Sequence, residues 1–218
     1  MKTTIESITS FNRLLNLNME FLTLDRKLNL VSCIIATQHV HGDIVECGCN
    51  SGTASVLIRF VLDELADTHT HWGMRTSRNF HVYDSFQGEH GRTLKDDGHP
   101  GGTIFAEGRL CAAQQELLDT FTRCKLQPPI VHVGPIQNMK AKDFPDKISL
   151  AFLDMDLYLP TLTAIGQIWP RLSIGGILIV DDYNYPPTPG INKAVDEFFA
   201  DKKVTMDTTV KITAMFTK

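Results

Sequence analysis

The sequence predicts an α/β fold with a doubly wound, mostly parallel seven-stranded sheet, preceded by helices and closed by an antiparallel strand pair. Two observations lead to this prediction. Short apolar runs alternate with segments of helical periodicity, and parallel strands need such crossover helices because a tight hairpin cannot join them. The first apolar run also ends in a glycine-containing turn that opens into a helical pattern.

Size and composition favour one domain with additional segments, since the chain has 218 residues. Its 21 Lys and Arg residues are outnumbered by 25 Asp and Glu residues, and the net charge of −4 argues against a nucleic-acid partner. Five cysteines without a Cys-x-x-Cys pair indicate a reducing compartment, so we expect a cytoplasmic protein. Neither a signal pattern nor an apolar run of about 18 residues is present, so we expect no membrane partner.

The order of elements follows from these patterns. Residues 1–40 show apolar residues at three- and four-residue intervals and predict a helical prelude, and residues 41–218 form the main domain. Strands are predicted at Asp43–Cys47, Phe80–Tyr83, Ile130–Val133, Ile148–Leu153 and Gly176–Val180, with helices at Thr53–Leu65, Arg109–Lys125, Pro160–Leu172 and Asn192–Ala200. The alternating segments Val204–Met206 and Val210–Phe216 predict the antiparallel pair.

Two long polar connections interrupt this pattern. One runs from Asp67 to Arg78 and is predicted as a loop. The other, residues 87–103, is rich in glycine and contains His90 and His99. Connections of this length are usually functional or disordered, so we interpret the second as a mobile lid, with a merely flexible insertion as the alternative.

The turn after the first strand carries the first functional signal. Glu46 ends the strand, and Gly48 and Gly52 follow within the turn. Glycines at such a turn let a ligand approach the backbone, but the spacing departs from the Gly-x-Gly-x-x-Gly pattern of dinucleotide sites. An acid with backbone carbonyls suits the ammonium and sulfonium of S-adenosylmethionine better than a pyrophosphate. A purely structural glycine turn is the alternative.

The second strand ends in Asp84. In doubly wound folds an acid at this position holds a ribose diol, so Asp84 is the candidate ribose ligand. The alternative is that its carboxylate only caps the following turn.

Acidic residues follow two further strands. Asp154 and Asp156 come after one strand, Asp181 and Asp182 after the next, and no lysine or arginine accompanies them in sequence. Carboxyl ends of adjacent parallel strands share one sheet edge, so the four carboxylates should converge, and a hard divalent cation such as Mg²⁺ would relieve their repulsion. We therefore predict a metal site formed by Asp154, Asp181 and Asp182. Solvated acids at strand ends are the alternative.

These segments together resemble the macrocin O-methyltransferase family, over roughly residues 22–200. The resemblance rests on the following motifs: Val45-Glu-Cys-Gly48, Tyr83-Asp-Ser-Phe-Gln-Gly88, Asp154-Met-Asp-Leu-Tyr158, Gly175-Gly176, Asp181-Asp-Tyr183 and Gly190-x-x-Lys193-Ala-Val-Asp196-x-Phe198. It implies a class I, Rossmann-like, S-adenosylmethionine-dependent enzyme that methylates a hydroxyl of a small molecule, such as a sugar or glycosylated natural product.

The resemblance also implies roles for individual residues. Asp154, Asp181 and Asp182 would bind Mg²⁺ or another divalent cation, and Asp156 would be the general base. Apart from the resemblance, His90 or His99 of the lid is the alternative base. The implied cofactor contacts are Glu46, Gly48, Cys49, Asn50, Ser51, Gly52, Asp84, Ser85 and Asp154. The helical prelude would help to cover the acceptor pocket, although it is shorter here than in the sugar-modifying members.

Other functions stay open at this point. A nucleotide-dependent oxidoreductase has the same fold class, a metal phosphohydrolase would use the acids, and a methyltransferase-like protein can bind without catalysis. The apolar faces of the N-terminal helices also suggest a homodimer.

Overall fold

The computed structural model describes residues 22–71, 78–97 and 108–218. Its centre is a seven-stranded sheet of order β3-β2-β1-β4-β5-β7-β6. The strands are β1 (Asp43–Cys47), β2 (Phe80–Asp84), β3 (Ile130–Val133), β4 (Ile148–Leu153), β5 (Leu172–Asp181), β6 (Met206–Asp207) and β7 (Thr213–Thr217). Strands β1 to β5 are parallel, whereas β7 is antiparallel to both β5 and β6. The predicted fold class is confirmed, including the C-terminal antiparallel pair.

Five α-helices accompany the sheet in the described part of the chain. They are α1 (Leu24–Ala36), α2 (Thr53–His71), α3 (Gln114–Cys124), α4 (Tyr158–Ile168) and α5 (Pro189–Phe199). Short 3-10 turns add Leu94–Asp96, Ile136–Asn138, Ala141–Asp143 and Trp169–Arg171. None of these helices is long and apolar enough to cross a membrane.

The sheet separates two hydrophobic cores. Successive residues of a strand point to opposite faces, so Ile44 packs with helices α1 to α3 whereas Val45 packs with α4 and α5. In β4, Leu150 and Ala151 divide in the same way. Burial on both faces explains why the central strands read as continuous apolar runs.

Several predicted boundaries were wrong. Helix α2 continues to His71, where a loop was predicted, because polar residues are as compatible with a helix as with a loop. Leu172, predicted as the end of a helix, begins β5, since Pro170 lies in a 3-10 turn that ends the helical segment. Helix α3 begins at Gln114 instead of Arg109. The prelude before residue 22 and lid residues 98–103, which include His99, lie outside the described residues.

The strand order reverses direction between β1 and β4. The chain passes from β1 to β2 on one side of this point and from β4 to β5 on the other. The two crossover connections therefore run in opposite directions along the sheet. In open α/β sheets this divergence leaves a crevice at the carboxyl ends of the two strands, which is where ligands bind.

Candidate active site

A pocket of about 600 Å³ opens at the carboxyl ends of β1 and β4. Its size is in the range of small-molecule sites, roughly 300–1,000 Å³. Eleven of the twelve predicted site residues line it, and Gly52 is the exception. The eleven are Glu46, Gly48, Cys49, Asn50, Ser51, Asp84, Ser85, Asp154, Asp156, Asp181 and Asp182.

The two predicted glycines have different roles. Gly48 has a φ of +82°, and a Cβ added to it would lie 1.9 Å from the backbone oxygen of Asp154. The ends of β1 and β4 also share a hydrogen bond of 2.9 Å from the Asp154 amide to the Cys47 carbonyl, so only glycine fits this approach. A Cβ on Gly52 would lie 2.5 Å from Cδ1 of Leu117. Close packing against α3 therefore accounts for this glycine, and its cofactor contact stays a prediction.

The Asp84 carboxylate organises the glycine turn. Its Oδ2 accepts hydrogen bonds from the amides of Cys49 and Asn50 at 2.8 and 3.0 Å, and its Oδ1 accepts one from the Phe86 amide at 2.8 Å. A carboxylate offers about four acceptor positions, so one remains for a ligand. Asp84 does cap the following turn, and its ribose contact stays a prediction. Because it occupies two amides of the turn, a pyrophosphate would find few donors there.

The polar side chains of the turn also bond within the protein. Asn50 donates from Nδ2 to the carbonyl of Leu110 at 2.8 Å and accepts from the Ser51 amide at 2.7 Å. Ser85 donates from Oγ to the carbonyl of Gly88 at 2.9 Å. These residues therefore shape the pocket wall, and their cofactor contacts stay predictions.

Glu46 is fully buried at the end of β1, where it lines the pocket. Its Oε2 accepts a hydrogen bond of 2.6 Å from Ser55, whereas its Oε1 has no hydrogen-bond partner among the described residues. Burial raises the pKa of Glu46 to about 8. A buried acceptor without a partner is costly, and a cationic donor from a ligand would satisfy it.

Three carboxylates meet at the ends of β4 and β5. Asp154, Asp156 and Asp182 each offer an oxygen, and these oxygens lie within 4.8 Å of one another. Burial, together with neighbouring carboxylates, raises the pKa of Asp154 and Asp156 well above the usual range and that of Asp182 to about 7. Asp156 and Asp182 have φ values of 58° and 61°, a strained backbone region that clusters at functional sites. Three of the four acids that were predicted to converge are therefore brought together.

Asp181 differs from the other three acids. Arg26 of α1 places Nη1 2.6 Å from Oδ2 of Asp181 and 3.5 Å from Oδ1 of Asp182. Asp181 does not belong to the group of three, so the predicted trio of Asp154, Asp181 and Asp182 is not brought together as such. The expectation of acids without a basic neighbour was wrong, because Arg26 reaches them from a distant part of the chain.

The lid supplies an acid that sequence reasoning missed. Glu89 lines the pocket and is hydrogen bonded to Asp156, which is in turn hydrogen bonded to Asp182. Burial raises the pKa of Glu89 to about 7. His90 also lines the pocket. The available signal was the position of Glu89 in the sequence, between Gly88 and His90 of the predicted lid.

The part of the lid around Asp96 is anchored to two helices. Oδ1 of Asp96 accepts a hydrogen bond of 2.6 Å from the amide of Tyr158, the first residue of α4. Oδ2 accepts from the Thr93 amide at 2.7 Å. A Cβ on Gly190 of α5 would lie 2.0 Å from Oδ1 of Asp96, so this glycine makes room for the carboxylate. The lid therefore has a fixed attachment close to Glu89.

Comparison with known proteins connects this geometry to a family. The family model described as macrocin O-methyltransferase matches residues 20–218. The chain belongs to the macrocin O-methyltransferase family. It is therefore an S-adenosylmethionine-dependent O-methyltransferase, as the resemblance of its motifs implied.

Individual relatives agree with this membership. Demethyldecarbamoylnovobiocin O-methyltransferase of Streptomyces niveus is 29% identical over 194 residues, which cover 82% of this chain and 69% of the relative. A tetracenomycin 4'-O-methyltransferase of Streptomyces olivaceus, named for a dimethoxy-rhamnosyl substrate, is 29% identical over 73% of this chain and 60% of its own length. The structure of the O-methyltransferase NovP has a TM-score of 0.74 at 27% identity, covering 90% of this chain and 80% of that one.

Proposed function

We propose that this protein is a metal-dependent O-methyltransferase that transfers the methyl group of S-adenosylmethionine to a sugar hydroxyl of a natural product. The observation that carries the proposal is the convergence of Asp154, Asp156 and Asp182 in the same pocket as the glycine turn. Oxygen ligands from carboxylates are those that Mg²⁺ prefers, so the donor set fits a hard divalent cation.

The acids need a cation for an electrostatic reason. Their pKa values are raised because carboxylates in a buried group repel one another when ionised. We assign the ion to Asp154 and Asp182, with Asp181 beside them. When bound, a divalent cation would lower the pKa of a coordinated hydroxyl and favour the ionised form of the surrounding carboxyls.

Asp156 is the proposed general base. The acceptor oxygen attacks the methyl carbon, the bond from that carbon to sulfur breaks, and the sulfonium becomes a neutral thioether. The hydroxyl proton passes to the Asp156 carboxylate. Its hydrogen bonds to Glu89 and Asp182 hold this carboxylate in place and give the proton further acceptors. Alignment of the reacting groups in the pocket would supply much of the remaining rate enhancement.

The cofactor is proposed to lie along the glycine turn. The unpartnered Oε1 of Glu46 suits the ammonium of the amino-acid end. The remaining acceptor position of Asp84 suits one ribose hydroxyl, with the other wall residues of the turn around the adenosine. This arrangement would bring the methyl donor close to the acidic edge of β4 and β5, where Asp156 lies.

The acceptor is proposed from the relatives and from the position of the prelude. One relative is named for a rhamnosyl substrate, which supports a sugar hydroxyl. Leu22, Thr23 and Arg26 line the pocket at the start of α1, which supports the prelude as a cover of the acceptor side. From the sequence alone, we also propose a cytoplasmic location and a homodimer.

The metal and the acceptor can be tested together. Protein treated with EDTA should release no S-adenosylhomocysteine with a panel of glycosides, and added Mg²⁺ or Mn²⁺ should restore release. Asp182→Asn should abolish turnover while the affinity for S-adenosylmethionine, measured by calorimetry, stays nearly unchanged. Full turnover of the EDTA-treated protein would refute the metal role, and turnover only with non-sugar phenols would refute the acceptor class.

The rival functions make different predictions. A nucleotide-dependent oxidoreductase needs donors for a pyrophosphate, but Asp84 occupies two amides of the turn. A binding protein without catalysis would have no use for Asp156 beside the acidic edge. Titration with NAD(H) and with S-adenosylmethionine separates the first rival, and turnover of any acceptor excludes the second.

A further inference from the structure

Arg26 links the N-terminal helix to the acidic edge of the sheet. It lies in the first turn of α1, and its side chain is only 11% exposed. Nη1 donates to Oδ2 of Asp181 at 2.6 Å and approaches Oδ1 of Asp182 at 3.5 Å. The positive charge of Arg26 also acts on Asp154. The charge of one guanidinium therefore acts on all three acids that were predicted as metal ligands, two of them by direct approach.

Asp181 is held by protein groups at both of its oxygens. Arg26 contacts Oδ2, and the hydroxyl of Thr213 lies 3.4 Å from Oδ1. The carboxylate is 2% exposed and stays outside the group formed by Asp154, Asp156 and Asp182. The ion pair with Arg26 thus neutralises Asp181, which would otherwise be available as a further carboxylate ligand for a metal.

We infer that Arg26 competes with the divalent cation for Asp181 and Asp182, so that binding of the ion releases α1 from this edge of the sheet. The inference rests on the proposed metal site. A guanidinium stays charged at all ordinary pH values, so it repels an ion that approaches the same carboxylate oxygens. The proposed ion takes an oxygen of Asp182 as a ligand and can take one of Asp181 once Arg26 has left it. The two cations therefore bind the same acids at each other's expense.

The competition connects the metal to the acceptor side of the pocket. Leu22, Thr23 and Arg26 form the pocket wall where α1 begins. Loss of the contact between Arg26 and Asp181 would loosen this wall when the ion is bound. Coupling between two binding events is reciprocal, so an ion that weakens the hold of Arg26 must bind more tightly when Arg26 is absent.

Calorimetric titration with Mn²⁺ and Mg²⁺ tests the competition directly. We expect Arg26→Gln and Arg26→Met to bind either ion about fivefold or more tightly than the wild-type chain, and Arg26→Lys to change the affinity less. Titration at a pH of about 8.5 limits competition from protons, which carboxylate ligands must lose. Arg59→Gln removes a charge from a pair with Asp63 on α2 and should leave the affinity unchanged.

Hydrogen exchange gives a second readout that does not depend on measuring an ion affinity. Backbone amides at the start of α1 should exchange faster after Mg²⁺ is added, and this acceleration should be absent in Arg26→Gln. Equal or weaker ion binding by both Arg26→Gln and Arg26→Met, or unchanged exchange of α1, would overturn the competition while the metal site stands. No ion binding by any of the proteins would refute the metal site itself, and with it the competition.

Discussion

The Asp96 carboxylate fastens the lid to the rest of the protein, and its removal should be costly. It is 7% exposed and accepts three hydrogen bonds, at 2.6 Å from the Tyr158 amide and at 2.7 and 3.0 Å from the amide and hydroxyl of Thr93. It also lies at the N-terminal turn of α4, where a negative charge is favourable. Asp96→Ala removes all of these interactions and leaves the Tyr158 amide without its partner.

The magnitude follows from the number and kind of these bonds. A hydrogen bond to a charged group contributes about 1.5–3 kcal/mol, but bonds to one carboxylate are not additive. We therefore expect the free energy of unfolding to fall by about 2–4 kcal/mol for the whole side chain. For a chain of this size 1 kcal/mol corresponds to roughly 2–4 °C, so the melting temperature should fall by roughly 5–15 °C.

Thermal melts of Asp96→Ala and Asp97→Ala provide a matched comparison. Asp97 is exposed and pairs with Arg92 at 2.6 Å, a surface ion pair that contributes about 0–1 kcal/mol. Its loss should shift the melting temperature by about 4 °C at most. Because Glu89 lies in the segment that Asp96 anchors, only Asp96→Ala should also raise the KM for the acceptor. Equal melting temperatures of the two variants would refute the anchoring.

Three further predictions concern the pocket. Gly48→Ala should lower the melting temperature and the cofactor affinity more than Gly108→Ala. Both glycines have a φ near 80°, but a Cβ meets the backbone only at Gly48, whereas Gly108 has open space around it. Equal effects of the two substitutions in thermal melts and calorimetry would contradict this reason. Asp156→Asn should lower kcat by about 10²–10⁴-fold in a turnover assay with little change in cofactor affinity, as expected of a general base. An unchanged kcat would show that another residue is the base. Because the pKa of Glu46 is raised, the folded protein keeps a proton on this carboxyl that the unfolded chain loses near pH 4.5. The contribution of Glu46 to the free energy of unfolding is therefore fully present below pH 4.5 and is lost as the pH rises toward about 8. Thermal melts at pH 6 and at pH 9 should show this loss for the wild-type chain and a smaller one for Glu46→Gln, and parallel losses would assign the pH dependence to other groups.

The sequence by itself determined the sheet and the edge at which the chemistry lies. Apolar runs are local patterns, and parallel strands joined by crossover helices must bring their carboxyl ends to one side. The positions of Glu46, Asp84 and Asp154 follow from that rule alone, and all three line the pocket. The same local reasoning was weaker at boundaries, such as the end of α2 at His71.

Only the tertiary structure decided which partners the charged side chains find. Arg26 and Asp181 are 155 residues apart in the chain, and no local pattern relates them. Glu89 meets Asp156 because the lid is held over the edge of the sheet, and Asp84 binds amides of a turn that lies 34 and 35 residues before it. The periodicity of a chain sets the faces of its helices and strands, whereas contacts between distant side chains depend on how those elements pack.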